Sequence, residues 1–155
     1  MPASLKRELT ALAALATVGD VVPLTRENRT LVTSGLKLFG TPVSPGLDAL
    51  LSVCGLKRIS AQSIAFGPVP RLNAAGRMGN ADLAEALLLC EDTSRADELA
   101  RQVEHLNRKR KEEEDKILSA AAELIREKPE LLSHRVLVLW GENWDVGVIG
   151  IVCAR

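Results

Sequence analysis

From residue 94 to residue 128 the chain contains no glycine and no proline, and Pro129 closes the run. An uninterrupted stretch of that length reads as one helix, a rod of about 50 Å at 1.5 Å per residue. It fixes the organisation of everything on either side of it. Leu99, Val103 and Leu106 give it an apolar stripe near its start, and Ile117, Ala121 and Leu124 give it a second near its end. The segment NRKRKEEED between them is polar on every side. A helix that loses its apolar stripe midway is expected to cross solvent between two packed bodies. Arg108 and Lys109 are spaced to pair with Glu112 and Glu113 at i,i+4. A coiled coil is the second reading of this segment, and a nucleic-acid contact by residues 108–111 is the third.

Upstream of the rod the pattern is helical and broken by turn signals. Residues 3–16 read as a helix, which TVGDVVPL ends with Gly19 and Pro23. ENRTLVTSGLKLFG is a second helix with a glycine stop at Gly40. PGLDALLSVCG repeats that design, with Pro45 at the first turn and Gly55 at the end. Ser60 is placed to cap a short helical turn. FGPVPRLNAAGRMG, rich in glycine and proline, is expected to be irregular, and Asn80 to cap the helix ADLAEALLLC. Downstream of Pro129, RVLVLW is continuous and β-rich, as a strand buried in a sheet would be. GENWDVG reads as a loop, and VIGIVCAR opens a further helix or strand. The expected organisation is therefore three parts: 1–92, the linker helix 93–129, and 130–155. A domain whose first strand starts near residue 135 cannot close a core in twenty residues, so the last part is expected to be truncated. Exposed apolar surface and poor solubility would follow.

Composition narrows the classes of function. The chain has 155 residues, with 20 Lys plus Arg against 20 Asp plus Glu. A protein held to nucleic acid by bulk charge would be basic, so any such binding here is local. Aromatic residues make up 3% and tyrosine is absent, which argues against a base-stacking platform. Cys54, Cys90 and Cys153 form neither a CxxC metal site nor a disulfide framework, which points to a reducing cytoplasm. LTALAALATV follows Lys6 and Arg7 as a signal peptide would, but Glu8 and Thr10 interrupt it and its leucines share one helical face. No run is long enough to span a membrane. His105 and His134 have no evident partner.

Three segments can carry chemistry. In TVGDVVPL, Asp20 sits at a helix-to-loop break in an apolar setting. Composition favours a local turn role; the other reading is a carboxylate ligand for a hard cation such as manganese or magnesium. In PRLNAAGRMG, Arg71 and Arg77 can fork onto phosphate oxygens and Asn73 can add an amide donor. Gly76 and Gly79 would let backbone amides come close. The competing reading pairs those arginines with carboxylates of the same domain. In WDVGVIGIVCAR, Gly147 and Gly150 would admit a ligand, with Arg155 as its anion contact, or would serve close packing instead. Asp145 is placed to act as a helix cap.

In this order and spacing, ATVGDVVPLTRENR, GPVPRLNAAGRMGNADLA, the long charged helix and VLVLWGENWDVGVIGIVCAR together resemble the RecJ exonucleases, a branch of the DHH phosphoesterase family. The resemblance runs over essentially the whole chain. It implies an α/β family, of which this stretch is mostly α-helical, with a long connecting helix and the first strand of a C-terminal α/β domain. Residues 1–92 would be the later part of the catalytic DHH domain, and 130–155 the start of the substrate-binding DHH-associated domain. The implied activity is 5′–3′ hydrolysis of phosphodiester bonds in single-stranded DNA, used in repair and recombination, alongside other replication or repair proteins. The implied cofactor is manganese or magnesium in a two-metal site lying mostly outside this stretch. By the same resemblance Asp20 is a catalytic metal ligand, Arg71, Asn73 and Arg77 face the strand, and Gly147, Gly150 and Arg155 bind substrate. Two departures qualify it. Trp144-Asp145-Val146-Gly147 stands where the family has Trp-His-Pro-Gly, and the aspartate motifs and Asp-His-His triplet are absent. The chain therefore reads as an internal piece, expected to be inactive alone. A non-catalytic single-strand-binding or scaffold relative is the alternative.

Overall fold

The computed structural model describes all 155 residues, Met1–Arg155. It contains eight α-helices and one 3₁₀ turn: α1 (Ala3–Gly19), α2 (Arg26–Leu38), α3 (Pro45–Cys54), α4 (Ala61–Phe66), α5 (Pro68–Arg77), α6 (Ala81–Leu88), α7 (Thr93–Glu127), the turn Pro129–Ser133 and α8 (Val146–Val152). Contacts gather the chain into two units, Met1–Leu106 and Asn107–Arg155.

The first unit is a helical body with two apolar clusters. One joins Ala11, Ala14 and Leu15 of α1 to Phe39, Leu47 and Ile64; the other joins Leu50 and Leu87 to Ala96, Leu99 and Val103 of α7. Close approach of backbones makes this packing work. A Cβ at Gly35 of α2 would run into the Ala14 methyl of α1, and one at Gly46 of α3 into the Leu87 carbonyl of α6. Pro45 opens α3 in the first turn, where its missing N–H costs nothing, and Gly55 ends it at φ 58°. Ser60 caps α4 by a reciprocal pair: its Oγ accepts from Ser63 N at 3.0 Å, and its N–H donates to Ser63 Oγ at 2.9 Å.

The segment expected to be irregular is helix α5. Pro68 lies in its first turn, where proline is tolerated, and Ala74 and Ala75 are strong helix formers. The glycine stop falls later, at Gly79 with φ 73°. Asn80 precedes α6, but its side chain donates to Met78 O at 2.8 Å instead of capping that helix.

The long helix spans Thr93–Glu127, one residue off the expected limits at each end. Its middle, though polar on every side, is not exposed on every side: Asn107 and Glu114 are buried. The stripe is continuous, because Val103, Asn107, Glu114, Ile117 and Ala121 follow one another at steps of three, four or seven and are all buried.

In the second unit, residues 135–140 (RVLVLW) are not a strand. A strand is held by a ladder of hydrogen bonds to a neighbour, and no other extended segment is present to supply one. Val136, Val138 and Trp140 accordingly stand exposed. The segment VIGIV closes α8, with Cys153–Arg155 lying beyond it, and Asp145 caps the helix, its Oδ1 accepting from Gly147 N at 2.8 Å.

Candidate nucleic-acid interface

Asp20 occupies the C-terminal cap of α1, where its own N–H donates to Ala16 O at 2.9 Å. The next residue, Val21, has φ 55°. A β-branched side chain is costly in that region, and such strain concentrates where a neighbouring group must be held in place. Asp20 lines a cavity of about 490 Å³ with Leu12, Leu15, Val69, Asn73, Glu85 and Leu88. The structure thus brings together the first and second candidate segments, and adds Glu85, which sequence reasoning did not single out.

Because PRLNAAGR is helical, its polar residues are sorted by face. Asn73 and Arg77 stand four residues apart, on one face, and both are exposed. Arg71 is turned the other way. Its Nη1 donates to Gly67 O at 2.9 Å, and its Nε lies 2.5 Å from Glu104 Oε2. The pair is well enclosed, with side chains 14% and 17% exposed. The approach is close, but its angle is not that of a hydrogen bond. Nearby burial pushes the Cys54 thiol up to about 11, against which the Arg71 charge acts in the opposite direction and Glu104 adds to the rise.

In the second unit, Gly150 is exposed and open on its Cα side. Arg155, three residues beyond α8, reaches Glu114 of α7: Nη2 lies 2.6 Å from Oε1. Arg110 Nη1 donates to the other carboxylate oxygen at 2.8 Å, and Arg110 Nη2 donates to Asn107 Oδ1 at 3.3 Å. Sequence reasoning missed Glu104 and Glu114. The signal was there in their spacing, since Glu114 continues the buried stripe of α7.

No family model matches the chain. Curated relatives do. The chain is 35% identical over 150 residues to the single-stranded-DNA-specific exonuclease RecJ of Bacillus subtilis, and 38% identical over 154 residues to that of Salmonella typhimurium. Each match covers 96% of this chain. The crystal structure of RecJ in complex with Mn2+ from Thermus thermophilus superposes with a TM-score of 0.84 at 35% identity, again over 96% of this chain. Over nearly its whole length the chain is similar to one stretch of the RecJ exonucleases. It spans 19% of the length of the Bacillus RecJ, 26% of the Salmonella one and 22% of the Thermus chain.

RecJ has also been solved with Mg2+. The donors of this chain do not by themselves fit either ion: no three His, Cys, Asp or Glu side chains come together, and Glu85 is the one other carboxylate lining the cavity of Asp20. No helix is long and apolar enough to cross a membrane.

Proposed function

We propose that this chain is the part of a RecJ single-stranded-DNA 5′–3′ exonuclease, a metal-dependent hydrolase of DNA repair and recombination, that lines the path of the strand. The observation that carries the proposal is the 96% coverage of this chain at a TM-score of 0.84 by RecJ bound to Mn2+. In this reading residues 1–92 belong to the catalytic DHH domain, 93–129 connect, and 130–155 begin the substrate-binding domain. RVLVLW takes up its strand when a neighbouring strand pairs with it, which accounts for its exposed apolar side chains. Asp20 contributes one carboxylate to a manganese or magnesium site whose remaining donors are supplied by other residues. Asn73 and Arg77 face the strand from one side of α5, while Arg71 stiffens that helix through Glu104 and can turn outward to a phosphate. Gly147, Gly150 and Arg155 receive the strand at the second domain. Single-stranded DNA is the partner, with other replication or repair proteins, in the cytoplasm.

The test is Asp20→Asn in the full-length protein. Nucleotide release from a single strand with manganese should fall by roughly 100-fold or more, the equivalent of about 3 kcal/mol, with strand affinity largely kept. An unchanged rate removes Asp20 from the catalytic machinery. The absence of a three-donor cluster favours a second reading, a single-strand-binding or scaffold relative without catalysis. That protein would bind a strand with the same salt dependence and release no nucleotide.

A further inference from the structure

We propose that Glu114 is a positioning residue for strand binding, holding the Arg155 guanidinium in the orientation in which it meets a phosphate. The proposal rests on the reading of Arg155 as an anion contact and deepens it.

Glu114 lies midway along α7 with its side chain 3% exposed. A carboxylate that enclosed is tolerated only when charge and hydrogen bonds compensate it. Two guanidiniums do so, one at each oxygen: Arg110 at 2.8 Å and Arg155 at 2.6 Å. They are not equivalent. Arg110 is itself fixed by Asn107 one turn back and is only 12% exposed, whereas Arg155 is 57% exposed. Two positive charges against one negative leave one in excess, and enclosure of Arg110 places that excess at Arg155. The Arg155 contact uses one terminal nitrogen and is not aligned as a hydrogen bond, and more than half of the Arg155 side chain remains exposed. A free arginine three residues past the seven-residue helix α8 would sample many rotamers. One anchored at a single nitrogen meets a phosphate with less ordering still to be done. The same contact also ties α8 to α7, so the test must separate positioning from plain support of the fold.

The experiment is a salt titration of single-strand oligonucleotide binding by the full-length protein, for wild type, Glu114→Gln, Arg155→Gln and the double variant. Arg155→Gln should weaken binding about tenfold and lower the slope of log affinity against log salt by about 0.7. Glu114→Gln should weaken it about three- to tenfold, and the double variant should bind no worse than Arg155→Gln alone. Equal losses from Glu114→Gln in both backgrounds would show that it acts on the fold and not through Arg155, which overturns the proposal. A loss for Arg155→Gln with none for Glu114→Gln overturns it too, and leaves the role of Arg155 standing. No change for Arg155→Gln removes that role and the proposal with it. Should Glu114→Gln unfold the protein, Glu114→Asp keeps the negative charge but shortens its reach towards both arginines. It should show the same non-additive loss with an unfolding midpoint close to wild type, and an additive loss again overturns the proposal.

Discussion

At residue 46 a single methyl group decides how closely two helices lie. A Cβ on Gly46 would occupy the space of the Leu87 carbonyl and crowd the Leu88 Cα, and backbone cannot rotate away as a side chain can. Gly46→Ala should push α3 from α6, open the cluster around Leu50 and Leu87, and cost about 3 kcal/mol in a denaturant titration. Gly76 is the contrasting case. It lies in the last turn of α5, and a methyl group there would meet nothing within 4 Å, so Gly76→Ala should stabilise by about 0.5–1 kcal/mol. If the strand approaches the backbone there, its affinity falls even as stability rises. In the sequence both residues are simply glycines among small or turn-forming neighbours. What separates them is which chain crosses above, and that is set by tertiary packing. Asp145 was legible as a cap because capping is local. Asn80 has the right residue type and position but bonds Met78 O, a competition between two local partners that type alone does not resolve.

At the scale of elements, propensity and spacing reached most helices, and failed where polar residues were read as exposed and where glycine and proline were read as helix breakers. The long helix was set by the lack of glycine and proline and by Pro129. Its middle was misjudged because Asn107 and Glu114 were weighed by polarity, although their positions continue the buried stripe. Helix α5 was misjudged because Pro68 and Gly76 punctuate most chains, yet here they sit at the two ends of a helix, where they do little harm. The helical form is what turns Arg71 inward to Glu104 and leaves Asn73 and Arg77 outward. The Arg71–Glu104 pair is neither fully buried nor free. Its worth should fall between the 0–1 kcal/mol of an exposed pair and the 3–5 kcal/mol cost of breaking a buried one. Glu104→Gln should therefore destabilise by about 2 kcal/mol in urea unfolding. It also releases Arg71 from its carboxylate. Strand affinity should then rise if Arg71 is a phosphate contact, and stay level if it serves only to hold α5.

For the whole molecule, balanced charge and few aromatics mean that any affinity for nucleic acid has to be concentrated at particular side chains, and Arg77 of α5 and Arg155 beyond α8 are exposed cations on which the proposed binding would have to rest. Composition did not reveal how the metal chemistry would be divided among residues. Phosphodiester hydrolysis through bound ions needs several oxygen or nitrogen donors held together, and this chain gives Asp20 one further carboxylate, Glu85, and the amide of Asn73 in its cavity. The 155-residue chain, purified and supplied with manganese, should therefore release no 5′ nucleotides from a single strand. It should still bind that strand, with an affinity that falls as salt rises if its arginines make the proposed phosphate contacts. Both readouts are needed, because silence in the first alone would follow equally from misfolding. Manganese-dependent release that disappears in Asp20→Ala would mean that one exposed carboxylate, with Glu85 and water, recruits a working metal, and the division of labour proposed for this chain would have to be redrawn.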